Sequence, residues 1–270
     1  MISNKTIWMG KQRKSGCSDE QADREDLVYF GYQKVPQKEK VQRTCLHFET
    51  VAKRYDFMNT LLSFGIHYLW KHAAIRMMKL KPGHRVLDVC GGTGDLSILA
   101  HRVVGPTGQI VLYDINRAMI QAGKAKPTHS SARSRIRYVQ GNAEEISFPD
   151  RYFDAAMVGF GIRNVSRMEK GFGEMHRVLK PGGKLMCLEF SKPTAPLFRF
   201  LYDFYSFKIM PLLGELLAGS RKAYTLLPES IRTFPMPDEL AGILKRIGFR
   251  RVVYRRLTNG IAVVHLGEKY

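Results

Sequence analysis

Short apolar runs alternating with helical stretches constrain this chain more than any other feature. The runs are Val86–Val89, Ile110–Tyr113, Ile136–Val139, Phe153–Val158 and Leu185–Phe190. Each has the length and bounding turns of a buried strand. Helical spacing lies between them at Asp95–Val103, Asn116–Lys124 and Met168–Leu179, and Met168, Phe172, Met175 and Leu179 share one face of the last. Parallel neighbours in a sheet need a crossover, usually a helix. Strand and helix in turn therefore predict an α/β fold with a parallel sheet covered on both faces. Near the end, Val252–Tyr254 and Ile261–Leu266 flank Asn259-Gly260, a hairpin signal. An antiparallel pair appended to the parallel sheet is expected.

The flanks follow other patterns. From Cys45 to Met78 the spacing is helical, broken in two at Ser63-Phe64-Gly65. Residues 1–40 are polar, mixed in charge and without sustained period, and read as a flexible basic and polar arm. The remainder, 41–270, reads as one domain. Within it, 191–228 is rich in aromatics, breaks the alternation, and reads as an inserted helical cover.

Composition excludes several classes. No apolar run approaches the roughly 18–20 residues of a membrane span. Residues 1–15 lack the apolar centre of a secretory signal, and the acidic residues from Asp19 to Asp26 are foreign to a transit peptide. Cys17, Cys45, Cys90 and Cys187 form no C-x-x-C pair, so no metal site is expected and a reducing, cytoplasmic setting fits. The 43 Lys and Arg against 24 Asp and Glu give +19, which suits an acidic partner, either nucleic acid or an anionic membrane surface.

The most informative segment runs from Val86 through Asp88 to Gly91-Gly92-Thr93-Gly94-Asp95. A buried strand enters a loop with three glycines and leaves as a helix. The next strand ends at Asp114, where a carboxylate can accept hydrogen bonds from ribose hydroxyls. This predicts nucleoside binding. The dinucleotide spacing G-x-G-x-x-G is absent, and so is the phosphate loop G-x-x-x-x-G-K-[ST]. Asp88 and Asp95 bracket the glycines; they disfavour a pyrophosphate and suit a ligand with a cationic amino-acid end. S-adenosylmethionine is such a ligand. Asn142, followed by Ala143 after the third strand, offers a donor and an acceptor to an adenine edge.

Three blocks carry a resemblance. Tyr55-Asp56-Phe57-Met58-Asn59 with Ser63, His67 and Trp70 is similar to the first signature of the ubiquinone/menaquinone biosynthesis C-methyltransferases. Arg177-Val178-Leu179-Lys180-Pro181-Gly182-Gly183 with Leu188, Glu189 and Ser191 resembles the second. Gly159-Phe160-Gly161-Ile162-Arg163-Asn164-Val165 resembles the family's loop after the fourth strand. The likeness runs from about residue 29 to the end. Gly159 stands where many members have Ser, and Thr60 where an acidic residue is common.

The resemblance implies a Rossmann-like class I methyltransferase fold: a mostly parallel seven-stranded sheet with N-terminal helices and a C-terminal hairpin. It implies S-adenosylmethionine as cofactor, with Thr93, Asp114, Asn142 and Ala143 carried over as its contacts; the reading of the glycine loop adds Asp88, Gly91, Gly92 and Gly94, and Gly159 is expected to contribute backbone contact only. The implied reaction is methylation of a ring carbon of a polyprenylated quinol, either a demethylmenaquinol or a methoxy-benzoquinol. Asn59, His67 and Trp70 are expected at the quinol, and Tyr55, Asp56, Arg163 and Asn164 at the chemistry.

A phenol titrates near 10. A cation within about 4–6 Å lowers such a pKa by roughly 1–3 units, which suggests Arg163 as stabiliser of the phenolate. Water or Asp56 then takes the proton. The expected partners are the quinol, an anionic membrane touched from its inner face, and a second copy or a quinone-synthesis complex; nucleic acid is not expected. Two rivals remain: a basic RNA methyltransferase, which would bind RNA with steep salt dependence, and a non-catalytic cofactor-binding scaffold, which would show no turnover.

Overall fold

The structure is a computed structural model and describes residues 27–126 and 135–270. It opens with β1 (Leu27–Phe30) and β2 (Gln33–Pro36), then α1 (Gln37–Val51), a single 3-10 turn, α2 (Tyr55–Leu62) and α3 (Ile66–Met78). The alternating part follows: β3 (Arg85–Val89), α4 (Asp95–Val104), β4 (Gln109–Asp114), α5 (Arg117–Ala125), β5 (Ile136–Gln140), β6 (Phe153–Gly159), α6 (Met168–Val178) and β7 (Leu179–Phe190). The cover comprises α7 (Pro196–Phe204), a π-helical turn, α8 (Met210–Ala218) and α9 (Arg221–Thr233). The chain closes with α10 (Pro237–Ile247), β8 (Arg250–Leu257) and β9 (Ala262–Glu268).

The seven-stranded sheet has the order β5-β4-β3-β6-β7-β9-β8. β3, β4, β5, β6 and β7 pair in parallel, whereas β9 is antiparallel to β7 and to β8. The alternation of short apolar runs thus folds as expected. Period-two alternation splits each central strand between two cores. Val86, Ile110, Leu112, Met157 and Met186 face one side, under α3 and α4. Leu87, Val111, Ala156, Val158 and Cys187 face the other, under α6 and α10. Strand order reverses between β3 and β6. Helices leave their carboxyl ends toward opposite faces there, and the crevice this opens is where open α/β sheets bind ligands.

Two boundaries differ from the sequence expectation, and a third feature matches it. Of the arm expected over 1–40, residues 1–26 lie outside the described residues, while 27–40 are a hairpin and the first turn of α1. Val28 pairs with Val35, and Gly31 turns the hairpin at φ +61°. The hairpin rests on α9, where Glu229 Oε2 accepts the Tyr32 N–H at 3.4 Å. A partner nearly two hundred residues away leaves no local periodicity to read. The helical cover runs on through Pro228 to Thr233. The Asn259-Gly260 signal does join two antiparallel strands, through a short 3-10 turn in which Asn259 takes φ +53°. No helix among the described residues is long and apolar enough to cross a membrane.

Candidate active site

At the carboxyl end of β3 the chain takes three left-handed conformations in succession, Cys90 (φ +53°), Gly92 (+54°) and Gly94 (+84°). Gly94 then starts α4. Gly91 permits a close approach: a Cβ there would lie 2.7 Å from Leu112 Cγ and 3.1 Å from the Asp88 carbonyl oxygen. Asp114 fastens this loop to β4. Its Oδ2 accepts the Gly92 N–H and its Oδ1 the Asn116 N–H, both at 2.8 Å. Burial raises its pKa, and those two N–H groups oppose the rise.

A cavity opens beside the loop. Its floor includes Gly92, Asp114, Ile115, Met119, Asn142, Ala143 and Gly159, and α1 roofs it with Val41, Thr44, Cys45 and Phe48. Loop bonds hold the roof down. Lys40 Nζ donates to the Val165 carbonyl at 3.0 Å, Gln37 Nε2 to Glu144 Oε2 at 3.1 Å, and Asn116 Nδ2 to the Cys45 carbonyl at 2.9 Å. Burial brings the Lys40 ammonium down to about 8, partly offset by Glu144. Thr44 Oγ1, Asn164 Nδ2 and Ser166 Oγ lie on the cavity wall, buried and without a partner among the described residues. Buried polar groups are costly unless satisfied, so a ligand with its own donors and acceptors fits this wall. The Asn142 side-chain oxygen accepts the Glu144 N–H at 3.0 Å, which leaves its NH2 as the half facing a ligand.

A second cavity adjoins the first and shares Tyr55, Cys90, Gly92, Gly159, Phe160 and Asn164 with it. Gly159 belongs to both linings, and a Cβ there would stand 2.4 Å from Leu96 Cδ1. Asp88 reaches the second cavity from β3. Its Oδ2 accepts from Ser97 Oγ at 2.7 Å, while Oδ1 is buried and unpartnered among the described residues. Burial pushes its carboxyl up to about 7. A cationic amino group fits that oxygen. Asp95 does not share this role as expected. Lys71 and Lys126 grip it at 2.6 and 2.7 Å. Burial works against its charge, but the two ammonium groups outweigh burial and hold it well below the usual carboxylate range.

Asp56 is also spoken for. Its Oδ1 accepts from Thr93 Oγ1 at 2.7 Å and its Oδ2 meets Lys126 at 2.6 Å. It lines neither cavity. The expectation that it takes the phenolic proton is therefore corrected: both oxygens serve a structural knot of α2, the glycine loop and the end of α5. Thr93 belongs to the same knot, since its Oγ1 also accepts from Lys126 Nζ at 2.8 Å.

Arg163 lines the second cavity from the loop after β6. It carries an anionic partner that the sequence did not announce. Its Nη1 meets Glu189 at 3.0 Å, with the two side chains 8% and 2% exposed. Nη1 also donates to the Phe160 carbonyl and Nε to Ser230 Oγ at 3.3 Å, and the guanidinium packs 5.5 Å from the Phe190 ring centre. Burial raises the Glu189 pKa, against the pull of Arg163.

Tyr55 lines both cavities, and burial raises its phenol while Asn59 and Arg163 oppose. Asn59 and His67 line the second. His67 Nε2 lies 3.3 Å from Thr60 Oγ1, its Nδ1 is buried and unpartnered among the described residues, and burial followed by Lys71 lowers its pKa to about 4. Trp70 stands behind the wall instead of on it. Its Nε1 donates to Thr258 Oγ1 at 2.8 Å, and its ring packs against Phe160 and Phe190.

Sequence reasoning missed His47, Lys71, Tyr224 and Ser230, which also line the second cavity. Lys71 could have been found, because it lies four residues after His67 on one helix face. The others come from α1, whose start was read as arm, and from α9, whose place over the site is set by tertiary packing.

Comparison with known proteins agrees with this geometry. Residues 34–269 match the model of the ubiE/COQ5 methyltransferase family. The ubiquinone/menaquinone biosynthesis C-methyltransferase UbiE of Stutzerimonas stutzeri is 45% identical over 247 residues, spanning 92% of this chain and 96% of that protein. The protein of the same name from Pseudomonas aeruginosa is 44% identical over 248 residues, 92% of this chain and 97% of its own length. Among solved structures, a SAM-dependent methyltransferase from Aquifex aeolicus superposes with a TM-score of 0.54 at 18% identity, covering 74% of this chain and 89% of its own. A SAM-dependent methyltransferase from Thermotoga maritima does so at 0.58 and 19%, covering 84% and 99%. The solved structures establish the class I methyltransferase fold, and the sequence relatives are closer still: this chain belongs to the ubiE/COQ5 methyltransferase family.

Proposed function

We propose that this chain methylates a ring carbon of a polyprenylated quinol, a demethylmenaquinol or a methoxy-benzoquinol, with S-adenosylmethionine as donor. The observation that carries the proposal is the junction of the two cavities across Tyr55, Gly159, Phe160 and Asn164. One cavity has unpartnered polar groups suited to a nucleoside. The other has a buried carboxylate oxygen suited to an ammonium, and a guanidinium farther along its wall. When bound, the cofactor supplies an activated methyl on a sulfonium, so no metal is required.

The chain's own residues supply the rest. Asp114 and the loop N–H groups shape the nucleoside seat, and Asp88 meets the amino-acid end. Tyr55 and Asn164 stand where donor and acceptor meet. The Arg163–Glu189 pair presents a guanidinium to the phenolic oxygen, which favours the anion and raises electron density on the ring carbon. With Asp56 held in its knot, the proton passes to water. Positioning the ring in line with the methyl contributes on the order of 7–11 kcal/mol to such reactions. The prenyl tail brings the reaction to a membrane surface.

Incubation with methyl-labelled cofactor and a short-chain demethylquinol under reducing conditions tests the proposal. Label should appear in the quinone fraction. A folded, cofactor-binding chain that leaves that fraction unlabelled would overturn it.

A further inference from the structure

α7 is amphipathic the wrong way round for a core helix. Leu197, Phe200, Leu201 and Phe204 fall at i, i+3, i+4 and i+7, one continuous face. They are 73%, 70%, 55% and 56% exposed, and no residue of α7 is buried. A stripe of this kind normally closes on a core. The same face continues beyond the helix. Tyr205 anchors the turn between α2 and α3 through its hydroxyl bond to the Leu62 carbonyl at 2.9 Å, and its ring lies 6.0 Å from that of Phe64, which is 77% exposed. On α8, Leu212 and Leu216 are 49% and 71% exposed.

We propose that this face, α7 with the Phe64 turn and the outer side of α8, docks on an anionic lipid bilayer. The inference rests on the quinol reading above and gives it a surface. Two observations choose the lipid over a second copy of the chain. The first is charge. Both carboxylates of the 192–222 segment are taken, Asp203 by Arg232 and Glu215 by Arg221. Arg54, Lys208 and Lys222 are exposed and form no ion pair among the described residues. Arg54 sits beside α8 through its bond to the Leu217 carbonyl at 2.8 Å. A two-fold dimer through this face would set like charges against each other. An anionic surface attracts them, by about 1 kcal/mol per basic residue, or about fivefold each.

The second observation is continuity. Val51, Ala223 and Tyr224 line the second cavity and also belong to the apolar cluster packed between α2, α8 and α9, with Met58, Leu62 and Met210. One contiguous apolar cluster thus joins the wall of the reaction cavity to the back of the exposed face.

Co-sedimentation of the full chain with phosphatidylcholine vesicles, with and without phosphatidylglycerol, tests the proposal. The chain should sediment with the anionic vesicles, and salt should release it in part. Leu197→Glu with Phe200→Glu should weaken partition on the order of tenfold or more. The same variant should methylate a short-tail soluble quinol at the wild-type rate, which also shows that it folds. Arg54→Glu with Lys208→Glu should erase the preference for the anionic vesicles. The proposal is overturned if the wild type sediments with neither vesicle or if the Leu197/Phe200 variant binds equally well. It is also overturned if that variant splits a stable dimer, since a second copy then covers the stripe. Vesicle binding without turnover of the short-tail quinol would instead sink the quinol reading and leave the docking face standing.

Discussion

Arg163 enters the cavity beside Glu189, and neither side chain can be altered without consequence for the other. Removing one partner of a buried ion pair strands the other charge and costs about 3–5 kcal/mol. Arg163→Ala should therefore destabilise the fold by that order, since Glu189 is 2% exposed. The double change Arg163→Ala with Glu189→Ala should recover most of the loss in urea denaturation. Turnover should not recover, because the guanidinium that the proposal sets beside the phenolic oxygen is still missing. A double variant with restored turnover would assign Arg163 to the fold alone.

Asp88 gives a second prediction at this scale. Its folded pKa is about 7, raised from an unfolded value of about 3.9. The folded state thus holds a proton that the unfolded state releases, and this group's contribution to stability declines as pH rises from about 4 to about 7. A ligand ammonium at Oδ1 favours the carboxylate, so binding releases that proton. Cofactor affinity should rise up to about tenfold per pH unit between roughly 5.5 and 6.5. His47 and His67, both lowered to about 4, stay neutral across this window. Thermal-shift titrations at several pH values would measure the slope, and Asp88→Asn should flatten it. An unchanged slope in that variant would mean Asp88 does not meet the ligand.

Among the elements, α2 carries Tyr55 and Asn59 to the site, and Lys126 holds it there. One ammonium bridges Asp56 of α2, Thr93 of the glycine loop and Asp95 of α4 within 2.8 Å. Lys126→Met should leave Asp95 paired with Lys71 but strip Asp56 of its cation, leaving it only the Thr93 hydroxyl, at a cost of about 1.5–3 kcal/mol for a charge-assisted bond. Faster amide exchange across α2 and a several-fold weaker cofactor would be the signature. Unchanged exchange would show that packing alone fixes α2. This knot also marks the limit of what the sequence discloses. Asp56 was read as a site residue, whereas a cation seventy residues away, at the end of α5, ties it outside both cavities. The break at Ser63–Gly65 was legible because Gly65 needs φ +74°. Trp70 was legible as important, yet its place behind Phe160 and Phe190 depends on how α3 rotates against β7. The hairpin before α1 escaped notice because its support, α9, is distant in the chain.

For the molecule as a whole, the reversal of strand order between β3 and β6 decides where chemistry happens, and the N-terminal and inserted helices decide what reaches it. Of the first, the alternation of short runs disclosed the parallel sheet covered on both faces, while the strand order is seen in the structure. The second was hidden, because α1 and α9 close over the sheet through contacts that no local pattern announces. The account stands on the nucleoside cavity under α1. Titration calorimetry of the full chain with S-adenosylmethionine at neutral pH is its most direct test. The account predicts saturable uptake of one cofactor per chain, weakened severely by Asp114→Ala. A folded chain that takes up none, or an Asp114→Ala variant that binds as well as the wild type, would contradict it.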